Sequence, residues 1–215
     1  LLTTNVFIKV VQTIKENDAG IRNMPGTAVA NRRTGKVLYT PPKGEALIRE
    51  KLKQLEEFIH ADDSVEPLVK MALMHYQFEA IHPFFDGNGR TGRIINILYL
   101  VYQGLLDVPV LYLSKHIIEQ KPAYYQLLRD VTEKGAWEKW IIFILDAVVL
   151  TANHTASRIR NIRDLLQETL EFSKKKLPAR VYSKDLIELI FRQPYTKAKF
   201  LVDAEIAERK TAAEY

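Results

Sequence analysis

His82-Pro83-Phe84-Phe85-Asp86-Gly87-Asn88-Gly89-Arg90-Thr91-Gly92-Arg93 joins two helical patterns, and the fold is read outward from it. Upstream, Leu68, Val69, Met71, Ala72, Leu73, Met74, Phe78 and Ile81 leave no wide polar face between Pro67 and Ile81. A helix apolar most of the way round sits at the centre of a helical domain. It ends at His82-Pro83, because a proline disfavours the helical conformation in the residue before it. Downstream, Ile94, Ile95, Ile97, Leu98 and Leu100 predict a helix from near Arg90 to Gly104.

The turn carries the chemistry. Gly87 and Gly89 permit a sharp bend and a close approach of a ligand to the peptide N–H groups. The helix that follows offers unpaired N–H groups and partial positive charge, an anion site. Arg90 and Arg93, three residues apart, are read into its first turn and onto one face. Cations there oppose the helix dipole at about 0.3–1 kcal/mol each. A bound polyphosphate reverses that balance, and the planar guanidinium suits phosphate oxygens. Asp86 is a hard oxygen ligand beside the anion site, and magnesium often takes one carboxylate plus substrate phosphates. His82 accepts a proton near neutral pH without a large shift. Singly, each feature reads blandly: a capping histidine, a glycine turn, two surface arginines. In this order between two helices they predict a phosphate-handling site. Phe84 and Phe85 are read as anchors of the loop. His60, His75, His116 and His154 are read as structural. His75 and His82 lack the spacing of a zincin pair, and the loop lacks the Gly-Lys-Ser/Thr ending of a P-loop.

The rest of the chain agrees with an all-α domain. Val6, Val10, Val11 and Ile14 recur at helical spacing, and Asn17-Asp18-Ala19-Gly20 stops that helix. Val29, Val37, Leu38 and Tyr39, with a turn at Arg33-Thr34-Gly35, predict a short hairpin within about 27–42, ended by Pro41-Pro42. Helices are expected from Glu45 to His60, at Ser114 to Glu119, at Tyr124 to Val131 and from Trp137 to Phe172. Past Pro178, three short helices have the rhythm of a helix-turn-helix unit. The expected domains are 1–177 and 178–215. The 215 residues include no cysteine, which removes thiolate metal sites and agrees with a reducing, cytoplasmic setting. The longest apolar run, Trp140 to Leu150, holds Asp146 and falls short of the roughly 20 residues of a membrane span. The net charge is +5, and Arg158, Arg160, Arg163, Lys174, Lys175, Lys176 and Arg180 gather in one region, read as a solvated helix face.

With those residues in view, the segment resembles the signature of the Fic family: His, Phe, an acidic residue, Gly-Asn-Gly-Arg and a second Arg, met at His82, Phe84, Asp86, Gly87, Asn88, Gly89, Arg90 and Arg93. The hairpin resembles that family's flap, which pairs with a target segment. Leu111-Tyr112-Leu113-Ser114, Tyr124-Tyr125 and Trp137-Glu138-Lys139-Trp140 resemble its bacterial two-domain branch, and the tail resembles that branch's winged helix, cut short. The resemblance implies transfer of AMP from ATP to a protein hydroxyl, the enzyme's own included. His82 would be the base and Asp86 the Mg²⁺ ligand. Gly87, Asn88 and Gly89 would cradle phosphates, with Arg90 and Arg93 as clamps and Thr91 and Gly92 in the same segment. Leu38, Tyr39, Tyr124 and Tyr125 would lie near the nucleoside. Two rivals stand beside it: transfer of phosphate or another phosphate-linked group by the same fold, and a DNA-binding regulator using the tail. The family's restraining string of Ser/Thr, three residues, Glu and Gly/Asn does not occur; Thr13 to Glu16 before Asn17 is one residue short. With Leu1 in place of an initiating methionine, the expectation is that a restraining helix lies further upstream, with a separate inhibitory partner protein as the alternative.

Overall fold

The computed structural model describes residues 1–24, 27–30 and 37–214. The helices are α1 (Thr4–Lys15), α2 (Glu45–His60), α3 (Pro67–Ile81), α4 (Asn88–Tyr102), α5 (Ser114–Glu119), α6 (Lys121–Lys134), α7 (Trp137–Lys176), α8 (Lys184–Arg192), α9 (Ala198–Asp203) and α10 (Arg209–Glu214). Two short strands, β1 (Val29–Ala30) and β2 (Val37–Tyr39), pair antiparallel, with Val29 opposite Tyr39. The turn expected at Arg33-Thr34-Gly35 lies outside the described residues. The fold is all-α, as the periodicity predicts.

Helix α3 is the axis of the larger unit. It packs against α2 and α4, and α1 packs against both of those. Pro67 opens α3 at a position where a missing N–H costs nothing. Met71, Ala72, Met74, Phe78 and Ile81 are buried, in one core with Phe7, Val11, Leu52, Ile95, Tyr99 and Trp140. Lys70 is buried on the same helix, its charge met by the Ala61 carbonyl at 2.8 Å and Asp63 at 3.1 Å. The start of α4 differs from expectation. The helix begins at Asn88 rather than near Arg90, because Gly87, at φ 91°, turns the chain earlier. Arg93 therefore belongs to the second turn.

Contacts divide the chain into Leu1–Asn153 and His154–Tyr215, so the division falls inside α7. At 40 residues, α7 is long and apolar enough to cross a membrane by length and composition alone. Its first half nonetheless supplies Trp140, Ile144 and Ala147 to the core of the larger unit. In the smaller unit, Leu186, Leu189, Leu201 and Ala212 form a separate core, and Ser183 caps α8 by accepting from the Leu186 N–H at 3.0 Å.

Candidate active site

His82 ends α3 in the left-handed conformation, at φ 49° and ψ 59°. A non-glycine residue held there costs on the order of 1–3 kcal/mol and persists only when its surroundings impose it. Here they do. The His82 N–H donates to Phe78 O at 3.0 Å, and its own carbonyl accepts from Arg22 Nε at 2.7 Å. His82 lines a cavity of about 390 Å³. Burial pushes the imidazole below its ordinary pKa, the backbone of Glu79 opposes the shift, and the Arg22 charge adds to it. At neutral pH the ring is an uncharged base.

The loop is built by Asn88. Its side chain is buried and makes two bonds to one residue: Oδ1 accepts from the Phe84 N–H at 2.9 Å, and Nδ2 donates to Phe84 O at 2.7 Å. The amide is thereby spent on the loop, and any phosphate contact falls to the backbone. Phe84 is 1% exposed and anchors the turn, whereas Phe85 is 58% exposed and anchors nothing. Thr91 and Gly92 are buried where α4 meets α3. A Cβ on Gly92 would come within 2.9 Å of Glu79 Oε1 and 3.1 Å of the Phe78 ring, so that position requires glycine for packing. Asn88→Ala should lower stability by about 2–4 kcal/mol, since it strands two buried backbone groups. For a chain of this size that is about 5–15 °C in Tm, readable by calorimetry.

The two arginines part company. Arg93 lines the cavity with His82, Gly89 and Glu79, and its Nε donates to Ser114 Oγ at 2.7 Å. Arg90 is about half exposed and pairs with Asp86 at 3.7 Å. Asp86 is mostly exposed and also pairs with Lys15 at the end of α1. The Lys15 ammonium, then the Gly87 backbone, hold this carboxyl below the usual range, so it is ionised. It is a lone carboxylate: among the described residues no group of three or more His, Asp or Glu side chains could hold a metal by itself. That suits a cation whose other ligands come from a substrate.

Aromatic side chains make another wall of the cavity. Tyr39, Tyr124 and Tyr125 all line it; nothing is described for the Leu38 side chain. Tyr39 donates from its hydroxyl to Ala80 O at 2.9 Å. Tyr124 bonds His75 Nε2 at 2.9 Å, and His75 stacks on Trp140 at 5.9 Å between centroids. Burial, with the Arg93 charge, lowers the His75 pKa to about 3, so this ring is neutral and structural, as read from the sequence.

Four contributors escaped the sequence reading. Glu79 lines the cavity with a buried Oε1; burial raises its pKa to about 7, and the Arg93 charge opposes the rise. It sits three residues before His82 on the mostly apolar α3, where a charge so near the helix end was its signal. Lys15, Ser114 and Arg22 come from distant segments and carried none.

A neutral base, a cation on the first turns of a helix and an aromatic wall around one cavity suit a nucleotide. Comparisons with known proteins agree. Residues 3–100 match the Fic/DOC family. Residues 165–215 match the C-terminal domain of SoFic-like protein adenylyltransferases. The chain is 30% identical over 112 residues to a protein adenylyltransferase Fic of Drosophila willistoni, covering 51% of this chain and 21% of that one. It is 33% identical over 98 residues to a probable protein adenylyltransferase of Aquifex aeolicus, covering 46% of this chain and 28% of that one. This chain therefore spans about a quarter of those relatives' length. The crystal structure of a Fic family protein from Desulfovibrio desulfuricans G20 superposes with a TM-score of 0.57 at 20% identity, over 97% of this chain and 58% of the other.

Proposed function

We propose, for a chain that belongs to the Fic/DOC family, that it is a protein adenylyltransferase moving AMP from ATP to a Ser, Thr or Tyr hydroxyl of a target protein, its own surface included. One observation carries this reading: uncharged His82 and the Arg93 guanidinium line a single cavity across the Gly-rich turn. The names of the relatives support it. So does the match of residues 165–215 to the C-terminal domain of an adenylyltransferase, which favours an enzyme over a separate regulator.

In this reading the hydroxyl oxygen attacks the α-phosphorus, the bond to the bridging oxygen breaks and pyrophosphate leaves. His82 takes the hydroxyl proton as the new phosphoester forms. Arg93, on the second turn of α4 and held by Ser114, would meet the negative charge of the phosphates as a fixed donor. Tyr39, Tyr124 and Tyr125 offer faces for the adenine. The edge of β2 offers main-chain groups for an extended target segment.

The residues present fit magnesium. Asp86 is ionised, solvent-facing and beside the turn, and it would be the protein's ligand. Bound there with the phosphates, the ion would neutralise polyphosphate charge.

The test is the mass of the product. Incubation with Mg²⁺ and ATP, with the label in the α-phosphate, should leave protein carrying AMP and retaining the label. Protein that carries only phosphate, and label only from the γ position, would reject adenylylation in favour of phosphoryl transfer.

A further inference from the structure

Arg22 is 1% exposed, a charged side chain buried at the end of α3 and outside the lining of the cavity. Every side-chain bond described for it ends on a carbonyl oxygen. Nε donates to His82 O at 2.7 Å, and Nη2 donates to Ile81 O at 3.3 Å and to Pro42 O at 2.6 Å. Its backbone N–H donates to Pro83 O at 2.9 Å.

These acceptors are not scattered. A helix leaves its last carbonyls without internal partners. At the end of α3, Ala80 O is taken by Tyr39 and the next three carbonyls by Arg22. The helix end that carries the base is thus capped from the segment that enters and leaves the β1–β2 pair. Burying a guanidinium carries a desolvation cost that its hydrogen bonds must offset. That cost is evident here, since burial lowers the Arg22 pKa. An apolar side chain would fill the space with less penalty but could not hold carbonyls of two segments at once. The planar fork does that, and a lysine ammonium does it poorly. A cation at the C-terminal end of α3 also complements the helix dipole.

We propose that Arg22 is a positioning residue for the transfer reaction: it holds the His82 backbone in the left-handed geometry that presents the imidazole to the cavity, and through Pro42 it locks that geometry to the exit of the β1–β2 pair. The base and the strand edge that receives the target are then one rigid element. This rests on His82 being the base.

The experiment uses the full chain with Mg²⁺ and α-labelled ATP, self-modification as the readout, and calorimetric binding of a non-hydrolysable ATP analogue beside it. Displacing a catalytic group by about an ångström costs on the order of 10²-fold in rate. Arg22→Gln should therefore lose about that much in kcat, with analogue affinity unchanged. Arg22→Lys, keeping the charge and one donor group, should recover part of the loss. A folded Arg22→Gln that transfers at the wild-type rate, or that loses rate and analogue affinity in proportion, overturns the proposal. If Arg22→Gln does not fold, the wild-type chain decides. Its Arg22 Nε–H should exchange slowly with solvent and show scalar coupling to the His82 carbonyl carbon by NMR. Rapid exchange without coupling overturns the proposal. His82→Ala runs in parallel: wild-type transfer by that variant removes the base assignment and this proposal with it, whereas a dead His82→Ala beside a fully active Arg22→Gln removes this proposal alone.

Discussion

His82→Ala is expected to abolish the proposed AMP transfer and to leave Mg·ATP binding intact. The expected loss in kcat is about 10²–10⁴-fold, the usual contribution of a positioned general base. Binding should survive because, under the proposed assignment, the imidazole would act on the acceptor hydroxyl, while the nucleotide would be held by Arg93, the N-terminus of α4 and the aromatic wall. The same assignment fixes a pH dependence. Burial and the Arg22 charge lower the His82 pKa, so the ring stays neutral at pH values where a free imidazole is half protonated. Protonation removes the base. With Glu79 no longer titrating, the rate should therefore hold as pH falls through 6.5, the ordinary imidazole value, and drop only below it. Glu79, raised to about 7, titrates on the other side of that value. A limb near neutrality should disappear in Glu79→Gln, while the acid limb remains. Near wild-type transfer by His82→Ala, or an acid limb above the ordinary imidazole range in Glu79→Gln, would contradict the assignment.

Arg93→Ala weakens Mg·ATP binding by about 10–100-fold, the effect of removing a charge-assisted hydrogen bond worth about 1.5–3 kcal/mol. Arg90→Ala should change it by less than about threefold, because a solvent-exposed charge is screened and contributes at most about 1 kcal/mol. The two arginines are three residues apart in sequence, yet only Arg93 turns into the cavity, held by Ser114. Calorimetry of both variants with the same nucleotide measures the difference directly. A second signal accompanies it. The Arg93 charge at present lowers the Glu79 pKa, so its removal should raise that pKa further, visible by NMR of the side-chain carboxyl. Equal losses for Arg90→Ala and Arg93→Ala would restore the symmetric clamp expected from spacing alone.

Much of this was legible in the chain by itself, and for local reasons. The apolar surround of Pro67 to Ile81 marked α3 as central, and Pro83 marked its end; the helix runs over those same residues. The hydrophobic spacing of Glu45 to His60 placed α2. Histidine, aspartate, glycines and arginines in fixed order marked the turn where a base, an anion site and a metal ligand could meet. Those signals depend on residues within a few positions of one another, where period, ring closure of proline and the freedom of glycine act directly.

Tertiary structure alone decided how the turn is used. It spent the Asn88 side chain on Phe84, buried Phe84 while exposing Phe85, and sent Arg93 inward and Arg90 outward. It also brought in Arg22, some 60 residues from His82, to whose carbonyl it donates. Nothing near Arg22 in the sequence announces a role, because its partners are the unpaired carbonyls of a helix end. Every helix has such carbonyls whatever its side chains, so only the folded chain determines which distant donor reaches them.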